Sequence, residues 1–144
     1  LVSYTPVYEG TITVQVFING LSIKKSPFNV TVYPGKMAGS KSTVTGPGKD
    51  SSIAGTNATF IIQARDEAGN PKRKKDEFFR ATLTMIRGDP RPDNCENFSQ
   101  ATNENHTTSS DAQYVDDGRY QVTYNITISG IYKLDVISES NEHV

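Results

Sequence analysis

Polar and apolar residues alternate along most of this chain, and no stretch carries the three-to-four spacing of an amphipathic helix. Thr11-Ile12-Thr13-Val14-Gln15-Val16-Phe17 is one such run. Phe28-Asn29-Val30-Thr31-Val32 and Ala58-Thr59-Phe60-Ile61-Ile62-Gln63-Ala64 are two more. Ala81-Thr82-Leu83-Thr84-Met85, Tyr120-Gln121-Val122-Thr123-Tyr124 and Ile131-Tyr132-Lys133-Leu134-Asp135-Val136 complete the set. Each is strand-length and rich in β-branched or aromatic residues. Turn chemistry separates them at Asn19-Gly20, Gly46-Pro47-Gly48, Ala68-Gly69-Asn70-Pro71, Asp117-Gly118 and Ser129-Gly130. Many short strands punctuated in this way predict an antiparallel sandwich or barrel.

The alternation also repeats itself. Placing Tyr4 on Tyr124 sets Gly10 on Gly130, Ile12 on Tyr132, Val14 on Leu134 and Val16 on Val136 without a gap. The offset of 120 residues exceeds the roughly 100 of a typical sandwich. Gly88 to Ala112 accounts for the excess. It is rich in Asn, Asp, Ser and Thr and poor in apolar residues, and it reads as a long loop insertion. In the first copy the glycine strand is followed by Gly20 and then by Ser26-Pro27-Phe28-Asn29-Val30-Thr31-Val32. The second copy reaches Val144 before any equivalent. Residues 1–34 are therefore expected to be the closing strands of one repeat. Residues 35–144 are expected to be the next repeat, expanded at 88–112 and lacking its last strand. An unpaired rim would follow, and Ser26–Val32 has the pattern to fill it, within the molecule or from a neighbour, so 26–32 is a candidate donor strand beside 131–137.

At these residues the sequence resembles the filamin (ABP280-type) immunoglobulin-like repeat. The motifs are Tyr4-Thr5-Pro6, Gly10-Thr11-Ile12-Thr13-Val14, Asn19-Gly20 and Ser26-Pro27-Phe28-Asn29-Val30-Thr31-Val32, in that order. Gly55-Thr56-Asn57-Ala58-Thr59-Phe60 and Ala64-Arg65-Asp66-Glu67-Ala68-Gly69-Asn70 resemble the second strand and its turn. Asp116-Asp117-Gly118-Arg119-Tyr120-Gln121-Val122-Thr123-Tyr124 resembles the late strands. The resemblance covers nearly the whole chain outside 88–112. It implies an all-β, immunoglobulin-like antiparallel sandwich without catalytic activity. It also implies that partner peptides add a strand at the edge formed by the third and fourth strands. Those map to Ala81–Ile86 and Gln113–Val115, so the implied edge is Thr82, Leu83, Thr84, Met85, Tyr114 and Val115. Nothing resembles the separate helical actin-binding domain of filamins.

Composition narrows the chemistry. Fifteen basic and sixteen acidic residues leave a net charge of -1, without the basic excess of an electrostatic nucleic-acid binder. No apolar run approaches the roughly 20 residues of a membrane span. The chain opens at Leu1 without a signal-peptide pattern, which is read as a mature or excised fragment. A single cysteine, Cys95, excludes an internal disulfide and a cysteine-rich zinc site. His106 and His143 are the only imidazoles, and no nucleophile–base set or phosphate-cradling loop accompanies them. No catalytic residue, cofactor or metal is expected.

Five Asn-x-Ser/Thr acceptor patterns stand out: Asn29, Asn57, Asn97, Asn105 and Asn125. Asn29 falls on an outward strand position, Asn57 and Asn125 at strand ends, and Asn97 and Asn105 in the insertion. All five could carry a glycan without burying it. They favour a multi-repeat cell-surface or secreted protein acting in adhesion, recognition or spacing. Filamin-like repeats in gamete-surface ectodomains are one such branch. The competing expectation is a cytoplasmic, cytoskeletal scaffold repeat using the strand-addition edge. In either case the partners are proteins and neighbouring repeats. Arg87-Gly88-Asp89 has the form of an integrin tripeptide, but Pro90 restricts Asp89, and a strand-ending turn is the simpler reading. Lys72-Arg73-Lys74-Lys75 is followed by Asp76-Glu77, which cancels much of its field and favours a solvated loop.

Overall fold

Strands form where an alternating run can turn its apolar side chains toward a covering layer and its polar ones to water. The computed structural model describes residues 1–88 and 106–144. The described part is all-β, with two single 3-10 turns at Gly39–Lys41 and Pro47–Lys49. In chain order the strands are β1 (Gly10–Val14), β2 (Phe17–Ile18), β3 (Leu21–Ser22) and β4 (Phe28–Val32). Next come β5 (Thr43–Thr45), β6 (Asn57–Gln63), β7 (Phe79–Gly88) and β8 (Thr107–Asp111). The last three are β9 (Gln113–Asp116), β10 (Arg119–Asn125) and β11 (Gly130–Ser138).

Two sheets make the sandwich. One has the order β5-β6-β10-β9 and the other β11-β7-β8, with all pairings antiparallel. Period two puts Phe60 and Ile62 of β6, and Tyr120, Val122 and Tyr124 of β10, on the inner face of the first sheet. Phe79, Ala81 and Leu83 of β7, with Val136 of β11, face them. Phe60, Ile62, Phe79, Tyr120 and Val122 are the largest fully buried side chains. Each such apolar side chain contributes about 1.5–3 kcal/mol by leaving water. The Phe79 and Tyr120 rings meet edge to face at 5.1 Å, and Tyr114 approaches Tyr120 similarly at 5.4 Å. The sandwich expected from the alternation is the fold observed.

Residues ahead of the sandwich form a separate ribbon. β1 pairs with β4 in the register Gly10↔Val32 to Val14↔Phe28, and β2 pairs with β3 across Asn19-Gly20. Both turn residues have positive φ, 49° and 79°, as a two-residue hairpin turn requires. None of the ribbon's side chains joins the buried core.

Two expectations need correction. The polar stretch after Gly88 is not loop throughout, because Thr107–Asp111 is strand β8 on the edge of β7. Its side chains are all hydroxyls or carboxylates, so no hydrophobic pattern announces it. Backbone pairing to an exposed edge supplies the driving force instead. Second, Phe28–Val32 does not lie beside β11 within the molecule. It pairs with β1, which is nearer along the chain and costs less loop closure.

Candidate protein-binding site

The edge implied by the third and fourth strands falls at β7 and β9. Leu83 is buried in the core, Thr82, Thr84 and Met85 are half-buried, and Tyr114 packs against the core while Val115 is exposed. β7 and β9 lie in different sheets, β9 beside β10 and β8 beside β7. The β7 edge is not open, however. β8 lies along it in the register Arg80↔Asp111, Ala81↔Ser110, Thr82↔Ser109, Leu83↔Thr108 and Thr84↔Thr107. The pairing continues at both ends, where the Met85 N–H donates to the His106 carbonyl at 2.9 Å and the Ala112 N–H donates to that of Phe79 at 2.9 Å.

Few side-chain contacts hold β8. Arg80 reaches Asp111 through two N–H···O bonds of 2.7 and 3.2 Å. That bond draws the Asp111 carboxyl below its usual range and raises the Arg80 guanidinium. Both groups are largely in water, where an ion pair adds little stability. The Ser110 hydroxyl donates to the Thr123 carbonyl of the opposite sheet at 2.7 Å. Thr108 and Ser110 are the half-buried positions of β8, and neither carries an apolar group beyond the threonine methyl.

A second built feature lies in the loop between β6 and β7. Asp66 and Asn70 are buried there, and no buried polar side-chain atom among the described residues lacks a partner. Asp66 Oδ1 accepts from the backbone of Ala68 and Asn70, and Oδ2 accepts from the Gly35 N–H and from Asn70 Nδ2. Burial raises the Asp66 carboxyl. The bonds from the Asn70 side chain and from the Gly35, Asn70 and Ala68 N–H groups outweigh it and leave the carboxyl below its ordinary value. Asn70 Nδ2 also donates to the Val7 carbonyl at 2.8 Å, and its Oδ1 accepts from the Glu9 N–H at 3.2 Å. Arg73 adds an ion pair to Glu9 at 2.7 Å. The loop thereby grips the segments that enter and leave the β1–β4 ribbon. Sequence reasoning treated 64–70 only as a strand and turn. The signal available was an Asp and an Asn four apart in a turn, both residue types suited to bonding local backbone.

Two of the four residues in the basic run are paired with acids. Lys72 faces Asp76 at 3.4 Å and Glu77 at 3.3 Å, and Arg73 faces Glu9 and Asp117. Of the acceptor asparagines, Asn29, Asn57 and Asn125 are exposed. Asn57 and Asn125 are cross-strand partners, with Asn125 Nδ2 donating to Asn57 Oδ1 at 3.1 Å. Asn97, Asn105, Cys95 and Asp89 lie outside the described residues. Among the described residues no cluster of His, Cys, Asp and Glu could hold a metal ion. No described helix is long and apolar enough to cross a membrane.

Comparison with known proteins adds two findings. The Filamin/ABP280 repeat model matches residues 37–144. Filamin-A of Drosophila melanogaster is 36% identical over 66 residues, which is 46% of this chain and 3% of that much longer protein.

Proposed function

The chain belongs to the Filamin/ABP280 repeat family, and on that premise we propose that it works as a non-enzymatic scaffold repeat whose β7 edge takes a partner peptide in place of β8. The observation that carries this reading is the polar character of the strand now on that edge. Exchanging one strand for another conserves the backbone hydrogen bonds. The balance then falls to side chains. A partner with Val, Ile, Leu or Phe at the inward positions buries apolar area worth about 25 cal/mol per Å², where Thr108 and Ser110 bury little. β8 competes because it is tethered, which gives it a high effective concentration. The partner class is thus an extended peptide of alternating apolar residues, with Thr82, Leu83, Thr84, Met85, Tyr114 and Val115 as the receiving surface. Titration of such a peptide into 15N-labelled protein is expected to shift the amides of 80–86 and to release those of 107–111. Shifts elsewhere with β8 still protected would overturn the proposal.

Exposure of Asn29, Asn57 and Asn125 supports a second reading, a repeat of a cell-surface or secreted protein acting in adhesion. Enzymatic deglycosylation of native protein tests it by mass. A native chain with no mass shift belongs to the scaffold reading.

A further inference from the structure

Arg80 is the one charged side chain on the stretch of β7 that β8 covers. Period two aims it outward with Thr82 and Thr84, while Ala81 and Leu83 are buried. Opposite these outward residues stand Asp111, Ser109 and Thr107 of β8. Two of the three pairs are neutral hydroxyls, with one contact between them, Thr107 to Thr84 at 3.5 Å. The third is forked. Arg80 Nε donates to Asp111 Oδ1 at 2.7 Å and Nη2 donates to Oδ2 at 3.2 Å. A guanidinium offers parallel N–H groups that match the two oxygens of one carboxylate.

Asp111 is not alone in holding the guanidinium in place. Its carbon lies over the Phe78 ring, 5.7 Å from the centroid, where a cation meets the negative face of the π-system. Phe78 and Arg80 line a depression of about 410 Å³ together with Ile137, Ser138, Glu139 and Asn141. Asp111 is the only ion-pair partner of Arg80 among the described residues. A strand that displaces β8 therefore uncovers a charged fork, already placed on an aromatic ring, that has lost its acceptor.

The same fork marks register. Backbone pairing is open to any register, and a one-residue slip is excluded because it turns the apolar side chains out to water. A two-residue slip keeps the faces but moves the residue opposite Arg80 to a position opposite Thr82. Among the outward positions of 80–84 only Arg80 separates the two.

We propose that Arg80 is the specificity-determining residue of the β7 edge, and that the preferred partner is an antiparallel strand with a carboxylate opposite it. β8 is the template. Its Thr108, Ser110 and Asp111 face Leu83, Ala81 and Arg80. The partner then carries apolar residues at the first two of these places and Asp or Glu at the third, directly after the residue that faces Ala81. This inference rests on the β7 reading above.

The test uses the whole 15N-labelled chain and two synthetic peptides. Both have valine opposite Leu83 and Ala81 with threonine between, and they differ only opposite Arg80, where one has aspartate and the other lysine. Removing β8 costs the same for both, so the ratio of their affinities in one protein isolates the charge. The aspartate peptide is expected to bind about three- to ten-fold more tightly at low salt, with the ratio falling toward one as salt rises. Arg80→Gln is expected to bring the ratio close to one at low salt, and Arg80→Glu to invert it. Equal affinities in the parent chain, with amide shifts at 80–86, overturn this inference and leave the β7 reading intact. A preference that survives in Arg80→Gln overturns it as well, since another group then reads the charge. Shifts at 80–86 with neither peptide overturn both.

Discussion

Asn70 and Asp66 hold each other twice, through Asn70 Nδ2 to Asp66 Oδ2 at 2.9 Å and through the Asn70 backbone N–H to Oδ1 at 2.8 Å. The remaining amide groups of Asn70 reach Val7 and Glu9, so this pair carries the connection from ribbon to sandwich. Asn70→Ala removes the three side-chain bonds and leaves Asp66 Oδ2 with the Gly35 N–H as its remaining donor. A loss of about 1–3 kcal/mol in stability is expected. Residual dipolar couplings should show the β1–β4 ribbon no longer held at one angle to the sandwich. A ribbon orientation unchanged in the variant would show that Arg73–Glu9 and backbone contacts suffice.

The same pair sets a pH dependence. The Asp66 carboxyl lies below its ordinary 3.8 in the folded chain. Its contribution to stability is therefore complete above 3.8 and is lost as pH falls through the lower folded value. Thermal midpoints are expected to drop as pH is lowered below about 4, and Asp66→Asn should flatten that part of the curve. Equal slopes in the two proteins would place the acid sensitivity elsewhere.

Gly118 closes the turn between β9 and β10 with φ of 69°, and a Cβ there would strike the Lys72 carbonyl oxygen. Gly69 has φ of 86° but open space around the same position. Gly69→Ala therefore carries only the backbone cost of about 1 kcal/mol. Gly118→Ala adds a steric clash and is expected to cost about 2–4 kcal/mol. Denaturant unfolding of the two variants side by side measures the difference.

Arg80 and Asp111 tie β8 to β7 on the solvent side. Arg80→Ala, Asp111→Ala and the double variant should each speed hydrogen exchange of 107–111 by a similar factor, because either single change breaks the pair. Exchange in β10 and β11 is expected to stay as in the parent. If the free-energy effect of the double variant instead equals the sum of the singles, the two residues hold β8 independently.

Much of the fold can be read from alternation. Each of the six runs became a strand, within a few residues at its ends, because burying one face of a strand needs a period of two and little else. The Asp117-Gly118 and Asn19-Gly20 turns were equally legible, since few residue pairs accept positive φ twice. β8 was not. Thr107-Thr108-Ser109-Ser110-Asp111 carries no hydrophobic signal, and its pairing depends on an edge built from residues more than twenty positions away. The candidate edge at 81–86 and 113–115 came from the resemblance alone, and the strand that lies along 80–84 was not legible in the polar stretch that precedes 113. Asp66 and Asn70 were visible as turn residues, while their grip on Val7, Glu9 and Gly35 was not.

By itself, the order of polar and apolar residues determined the all-β class, the strands of the core and the repeat that relates β1 to β11. These follow from local side-chain direction, which the chain carries with it wherever it goes. Only the tertiary structure decided which strands pair along each sheet edge among the described residues. Edge pairing is made by backbone groups that every residue possesses, so the choice of partner rests on proximity and closure rather than on residue type.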